Sequence, residues 1–264
     1  MKGFTVEPNS SWRTVAMATW GSQAEASIYG WLDIDVSRLL PRLAEAPAGT
    51  KITLTHAVGK AVALALAESP SANAVVSRGR VLRRESVDVF FSVATNGGKG
   101  LAGQKLRGVD AMPLADIARD MQKGVSRIRE RGDTPMQKSQ KLLGFVPKPL
   151  LSPLLHGIAA LSFDWGLDLN RVGVPTDPFG SAIVTNVGTL GIEQGFGPLM
   201  EHGRTAVLIT VGMVRDKVVA VDGRPEVRPV LTLGATFDHR VVDGFTLGRL
   251  SATIRRTLET ARLD

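Results

Sequence analysis

Residues 236–245 read Thr-Phe-Asp-His-Arg-Val-Val-Asp-Gly-Phe. They follow the apolar run Val227–Leu233 and precede an amphipathic stretch from about Phe245 to Arg262, so they mark a strand end, a tight turn and the start of a final helix. His239 stands four residues before the Asp243-Gly244 pair, where a turn can fix its ring. Imidazole titrates near neutrality and is a natural base for a hydroxyl or thiol nucleophile. A structural turn would use the same residues, and spacing alone leaves both readings open. The other histidines invite plainer readings: His56 lies on an alanine-rich helix, His156 in an irregular region, and His202 beside Glu201 in a loop.

Upstream of this segment, Asp222-Gly223 sits between Val218–Val221 and Val227–Leu233, the signature of a two-residue hairpin. Strands are expected at Ser181–Asn186, at Thr205–Val214 and from Ser86 to Thr95, where Asn96-Gly97-Gly98 ends the run. Residues 31–40 begin with strand-like alternation and end as a helix opening with Ser37 as N-cap. Thr53–Ser69 reads as a mostly buried helix stopped by Pro70, and Leu114–Arg131 as an amphipathic helix closed by Gly132. Gly132–Gly180 carries six of the 14 prolines and reads as an insertion of short helical pieces and irregular chain. Strands and helices interleave without a linker, which predicts one α/β domain over residues 1–264.

Composition narrows the function. The chain has 264 residues, 44% hydrophobic and 22% charged, a globular balance that excludes wholesale disorder. No cysteine is present, which removes disulfides, thiolate metal sites and a cysteine nucleophile, and fits a reducing cytoplasm. A net charge of +7 favours anionic partners without choosing one. Nucleic acid is disfavoured because the basic residues are scattered apart from Arg78-Gly79-Arg80 and Arg83-Arg84, and one tyrosine offers little stacking. The N-terminus shows no signal-peptide run, and the uncharged stretch from Leu150 to Ser162 is short of the ~20 residues a membrane span needs.

Asp238-His239-Arg240-Val241-Val242-Asp243-Gly244 resembles the DHRxxDG signature of the dihydrolipoyl acyltransferase catalytic domain of the 2-oxo acid dehydrogenase complexes, and more distantly that of chloramphenicol acetyltransferase. Thr185-Asn186-Val187-Gly188-Thr189-Leu190-Gly191 is similar to that family's S/T-N-x-G-x-x-G turn. Ser92–Gly98 and the helical stretch Lys60-Ala-Val-Ala-Leu-Ala-Leu, with Pro70 and Asn73, resemble two further segments in the same order. The resemblance covers roughly 27–132 and 180–262. It implies a chloramphenicol-acetyltransferase-like two-layer α/β sandwich with a mixed sheet. It also implies acyl transfer between coenzyme A and a thiol acceptor, without a covalent enzyme intermediate or bound metal. His239 would be the base, Thr185 the oxyanion donor and Asp243 the residue that orients the turn, with Asn186 and Gly188 beside coenzyme A.

The resemblance also implies a homotrimer or higher homo-oligomer with sites at subunit interfaces. Neither a lipoyl nor a subunit-binding domain fits before Ser10, so a lipoyl group or acyl-carrier protein is expected only in trans. The polar end Thr260-Ala-Arg-Leu-Asp264 favours a discrete trimer over a cage. Departures are the absence of the family's Arg in Ala16-Met17, with Arg13 nearby, and Ile28-Tyr29 in place of Pro-His before the first strand. The alternative is a non-catalytic assembly subunit, which would have no need of His239 and Thr185. In the insertion, Leu150, Leu151, Leu154, Leu155, Ile158 and Leu161 recur at helical spacing. This broad apolar face is expected to be covered by its own subunit or a neighbour rather than by a membrane, with Pro147, Pro149 and Pro153 breaking the helix. The insertion is expected near the substrate entrance, where it would reshape acceptor access.

Overall fold

The computed structural model describes residues 3–7, 26–47, 49–95, 100–131, 148–172 and 174–263. The expected end of a strand at 96–98, the stop at Gly132, Pro147, and Arg13 with Ala16-Met17 lie outside the described residues. In chain order the elements are β1 (Phe4–Glu7), β2 (Ser27–Asp35), α1 (Leu39–Ala44), α2 (Leu54–Glu68), β3 (Ala74–Ser77), β4 (Arg80–Arg84), β5 (Val89–Thr95), β6 (Gly100–Leu106), α3 (Leu114–Arg131), α4 (Lys148–Ala159), β7 (Ala182–Asn186), β8 (Val207–Val221), β9 (Arg224–Asp238) and α5 (Gly244–Glu259).

Six strands form a mixed sheet in the order β2-β9-β8-β7-β5-β6, and β1-β4-β3 form a second, small antiparallel sheet. In the large sheet β5, β7 and β8 run parallel, while β6, β9 and β2 join antiparallel. The inner face carries Phe91, Val184, Ile209 and Leu233, packed with Val58 and Val62 of α2, Ile117 of α3 and Leu250 and Leu258 of α5 in one core. The alanines of α2 let its backbone lie close to the sheet; a side chain at Gly59 would strike the Phe91 ring. A buried Lys60 donates to Asp110 O (2.8 Å) and Met112 O (2.6 Å), tying α2 to the turn before α3.

The outer face is crossed by the extended chain 192–200. Thr236 Oγ1 donates to Gly197 O (2.7 Å), Thr210 Oγ1 to Gly195 O, and Met213 N–H to Ile192 O (3.0 Å). Gly212 and Gly234 are required beneath it, because a Cβ on either would collide with the carbonyls of Glu193 and Gly195.

Several local expectations are corrected. The strand expected from residue 31 starts at Ser27, so Ile28-Tyr29 lie inside β2. Ser37 is not the helix cap: Arg38 takes that place, and the Ser37 N–H donates to Asp35 Oδ1 (2.8 Å) in a turn. The Asp222-Gly223 turn is as expected, with φ 49° and 77°, but its strands are continuous 15-residue elements rather than short flanks. The Arg78-Gly79 pair forms a second turn with positive φ, joining β3 to β4. Arg84 is buried and paired with Asp177 (3.1 Å), so the Arg83-Arg84 pair is not a solvated basic face.

The insertion does not break at its prolines. Helix α4 runs through Pro149 and Pro153. Pro153 lies just beyond the first turn, whose N–H groups have no intrahelical partner, and costs one hydrogen bond. Its apolar face divides in two. Ala159 and Phe163 are buried against Val75 of β3 and Leu82 of β4, whereas Leu150 (58%), Leu154 (41%) and Leu161 (43%) remain exposed, so cover from within the subunit is partial. Polar ties reinforce the buried side. Asp164 accepts from Arg204 (2.8 Å) and Ser77 Oγ (2.7 Å), and the Arg204 guanidinium, opposed by burial, holds its carboxyl below the usual range. The Arg78 guanidinium lies 4.4 Å above the Trp165 ring.

Candidate active site

His239 occupies the turn between β9 and α5, and the turn is fixed from several directions. Val241 and Val242 N–H both donate to Asp238 O (2.9 Å), and the His239 N–H donates to Ala26 O (2.8 Å), just before β2. The buried Asp238 carboxylate accepts from Arg240 N–H (3.0 Å), Nε (3.0 Å) and an η-nitrogen (2.8 Å), clamping the turn across itself. His239 Nδ1 is 2.9 Å from Val242 O. A carbonyl oxygen only accepts, so Nδ1 carries the hydrogen, and in the neutral ring Nε2 is the proton-accepting atom.

Asp243 stands where the turn passes into α5. It is the N-cap of α5, where its Oδ1 accepts from the Thr246 N–H (2.8 Å). Asp238, Arg240 and the Val242 carbonyl hold the turn as well, and Asp243 fixes where the helix that follows it begins. Asp238 and Arg240 are part of the same seven-residue motif. A carboxylate two residues from a guanidinium across a turn was the signal for this clamp.

Thr185 is the fourth residue of β7, half-buried, with Ser92 of β5 on one side and Thr210 of β8 on the other. The next residue, Asn186, donates from Nδ2 to Thr55 Oγ1 (2.8 Å) at the start of α2 and accepts from the Thr189 N–H (3.2 Å). Both ends of its amide therefore hold the 186–190 turn in place. Gly188 approaches Gly212 O of β8 so closely that a Cβ would collide with it.

The structure does not bring His239 and Thr185 together within one chain. Thr185 stands level with Thr210 and, one strand further, Gly234, and His239 lies five residues beyond Gly234. Two strand spacings across and five residues along separate them by roughly 19 Å. Two surface depressions, one at Glu193 and Val214–Lys217 and one at Leu43–Ile52, are lined by neither residue. Among the described residues no three His, Asp or Glu side chains gather as metal ligands, and no helix is long and apolar enough to cross a membrane. The outer face of the sheet exposes Tyr29 (59%) and Trp31 (64%), with Phe196 stacked edge-on against Tyr29 at 5.7 Å.

The other histidines are structural in position. His56 Nδ1 accepts the Thr53 N–H (3.2 Å) in the capping box of α2, and burial pushes its pKa down to about 4. His156 of α4 stacks edge-on against His202 at 4.3 Å, and burial, with His156 beside it, lowers the His202 pKa.

The family model described as 2-oxoacid dehydrogenases acyltransferase (catalytic domain) matches residues 4–140 and 178–263, and the gap falls within the proline-rich insertion. The human mitochondrial dihydrolipoyllysine-residue succinyltransferase component of the 2-oxoglutarate dehydrogenase complex is 29% identical over 216 residues, covering 81% of this chain and 37% of that protein. The chain thus spans well under half the length of this relative. Among solved structures, a probable dihydrolipoamide acetyltransferase from Listeria monocytogenes superposes with TM-score 0.67 at 17% identity, covering 98% of this chain and 96% of that one. Chloramphenicol acetyltransferase superposes with TM-score 0.56 at 13% identity, covering 97% and 99%. At these identities the structural likeness establishes the fold, an α/β sandwich of the chloramphenicol acetyltransferase type.

Proposed function

The chain belongs to the catalytic-domain family of the 2-oxoacid dehydrogenase acyltransferases, and on that premise we propose that it moves an acyl group between coenzyme A and a thiol acceptor. The acceptor is a dihydrolipoyl group or another carrier thiol presented in trans, in the cytoplasm. The observation that carries this reading is the His239 ring, held by Val242 O so that Nε2 is its basic atom.

A thiol of ordinary pKa is only about 3% ionised at pH 7, so attack on a thioester needs a base. Nε2 of His239 takes the thiol proton as the sulfur bonds to the thioester carbonyl carbon. The carbonyl oxygen becomes an oxyanion, to which the Thr185 hydroxyl donates a hydrogen bond. Collapse of the tetrahedral intermediate breaks the original C–S bond, and the departing thiolate receives the proton from His239. Acyl group and proton have exchanged places between two sulfurs, and the enzyme is unchanged. Asn186 and Gly188 shape the turn next to which coenzyme A is taken to lie.

Because His239 and Thr185 of one chain stand far apart, the working site takes His239 from one subunit and Thr185 from another. The exposed Tyr29, Trp31 and Phe196 supply the apolar surface for that contact, in a homotrimer.

Subunit mixing tests this directly. Alone, His239→Ala lowers turnover ~10²–10⁴-fold and Thr185→Val ~10²-fold. Unfolded and reassembled together, the two variants restore about one-quarter of wild-type turnover, since that share of interfaces pairs an intact histidine with an intact threonine. If the mixture is no more active than the better variant although assembly is restored, the shared-site reading is wrong.

A further inference from the structure

The outer face of the sheet carries three hydroxyls in one row. Phe90, Ile183 and Leu208 pack together on the outer side, whereas Phe91, Val184 and Ile209 point into the main core. Ser92, Thr185 and Thr210 lie two residues beyond the first set and therefore share its side. They are also register neighbours, Ser92 opposite Thr185 and Thr185 opposite Thr210. Thr210 is committed to the carbonyls of Gly195 and Gly234. Ser92 is different: it is 8% exposed, and its Oγ has no hydrogen-bond partner among the described residues.

A buried hydroxyl without a partner destabilises a fold, and alanine at this strand position would remove the penalty with little loss of packing. A retained group of this kind calls for a function. The only chemistry beside it in the row is the Thr185 hydroxyl. We propose that Ser92 is a positioning residue for Thr185: in the acylated complex the Ser92 hydroxyl donates to Thr185 Oγ, leaving the Thr185 proton aimed at the oxyanion. The inference rests on the reading of Thr185 as oxyanion donor given above. β5 and β7 are parallel neighbours, and adjacent strands lie about 4.8 Å apart, so the two hydroxyls come within reach of one another after a rotamer change. A donor to Thr185 Oγ also strengthens the hydrogen bond that Thr185 itself gives, because chained hydrogen bonds polarise one another.

The test is a double-mutant cycle on the full chain, with dihydrolipoamide as acceptor and whichever of acetyl-, succinyl- or branched-chain acyl-coenzyme A the wild type turns over. Ser92→Ala is expected to lower kcat about 3- to 10-fold, the worth of one such hydrogen bond, with KM for both substrates unchanged. The same variant is expected to melt about 2–4 °C higher, a rise that a merely structural hydroxyl would not give together with a slower enzyme. Ser92→Cys, which keeps the volume but donates weakly, should lose rate as well. In a Thr185→Val background, Ser92→Ala should have no further effect.

Wild-type kcat in Ser92→Ala, a rate loss in Ala but not in Cys, or an equal loss with and without Thr185 would each overturn the proposal. The two readings fail separately. If Thr185→Val is slow and Ser92→Ala is normal, only the role of Ser92 falls; if Thr185→Val is itself normal, the oxyanion assignment falls and takes Ser92 with it.

Discussion

Replacing His56 by glutamine should reduce the pH dependence of stability between neutrality and about pH 4.5, leaving the smaller part due to His202, whose pKa is also lowered. His56 Nδ1 accepts the Thr53 N–H at the start of α2, and burial lowers its pKa from 6.5 to about 4. In the unfolded chain the imidazole protonates at its ordinary value, so between those two pH values the unfolded state binds the extra proton. Stability therefore rises with pH through this window: it is complete above about 6.5 and declines as pH falls towards 4. The separation corresponds to about 3 kcal/mol in full, of which about 2 kcal/mol is lost between pH 7.5 and 5. Glutamine at the same position can accept the Thr53 N–H through its side-chain oxygen, so the capping box is kept while the titration is removed. Asp164 and Asp177 have carboxyls held below the ordinary 3.8 and lose their partners only at lower pH, outside the window. Urea unfolding followed by circular dichroism at fixed protein concentration, in steps from pH 7.5 to 4.5, measures the difference. Parallel loss of stability in wild type and His56→Gln across this range would refute the reasoning.

Asp243→Ala should melt lower, by the roughly 1 kcal/mol typical of a lost N-cap, and any rate loss should track that destabilisation as the turn loosens. A large rate loss at unchanged melting temperature would instead put the carboxylate in contact with substrate. We propose that the insertion reshapes acceptor access, since it enters β7 at the end of the sheet that carries His239. Serine at Leu150, Leu154 and Leu161 should leave the fold intact and shift the preference among dihydrolipoamide, acyl-carrier thiols and small thiols; an unchanged preference defeats the proposal. These substitutions are cleaner than deleting 136–176, which would remove Asp164 and strand the half-buried Arg204.

What the sequence revealed was whatever is written locally. The Asp222-Gly223 turn, the stop at Pro70 and the 3.6-residue rhythm of Leu114–Arg131 depend on neighbours a few positions away, and those elements lie where expected. The small β1-β4-β3 sheet was not legible, because Ala74–Ser77 is only four residues long and Arg80–Arg84 is arginine-rich, a pattern that makes sense only once Asp177 neutralises Arg84. The site was legible as a motif but not as a geometry. His239 and Thr185 are recognisable by type and order, whereas their separation follows from the strand order β9-β8-β7, a tertiary property. The unpartnered Ser92 was invisible for the same reason: a serine in a strand acquires meaning only from its register partner.

The pairing of β2 with β9 has a consequence for biogenesis. Ser27 is joined to Asp238 and Asp35 to Val230, so one edge of the sheet is closed by segments about 200 residues apart in the chain. On a ribosome adding 5–20 residues per second, β2 waits about 10–40 s for its partner to be made. During that interval α2 has no α5 to pack on, and the Ala26 carbonyl has no His239 to receive. Nascent chains therefore present an uncovered alanine- and leucine-rich helix face and an unpaired strand edge, surfaces on which chaperones and premature self-association compete. The His239 turn is set in place only when these two distant segments meet, which makes it one of the last parts of the fold to form.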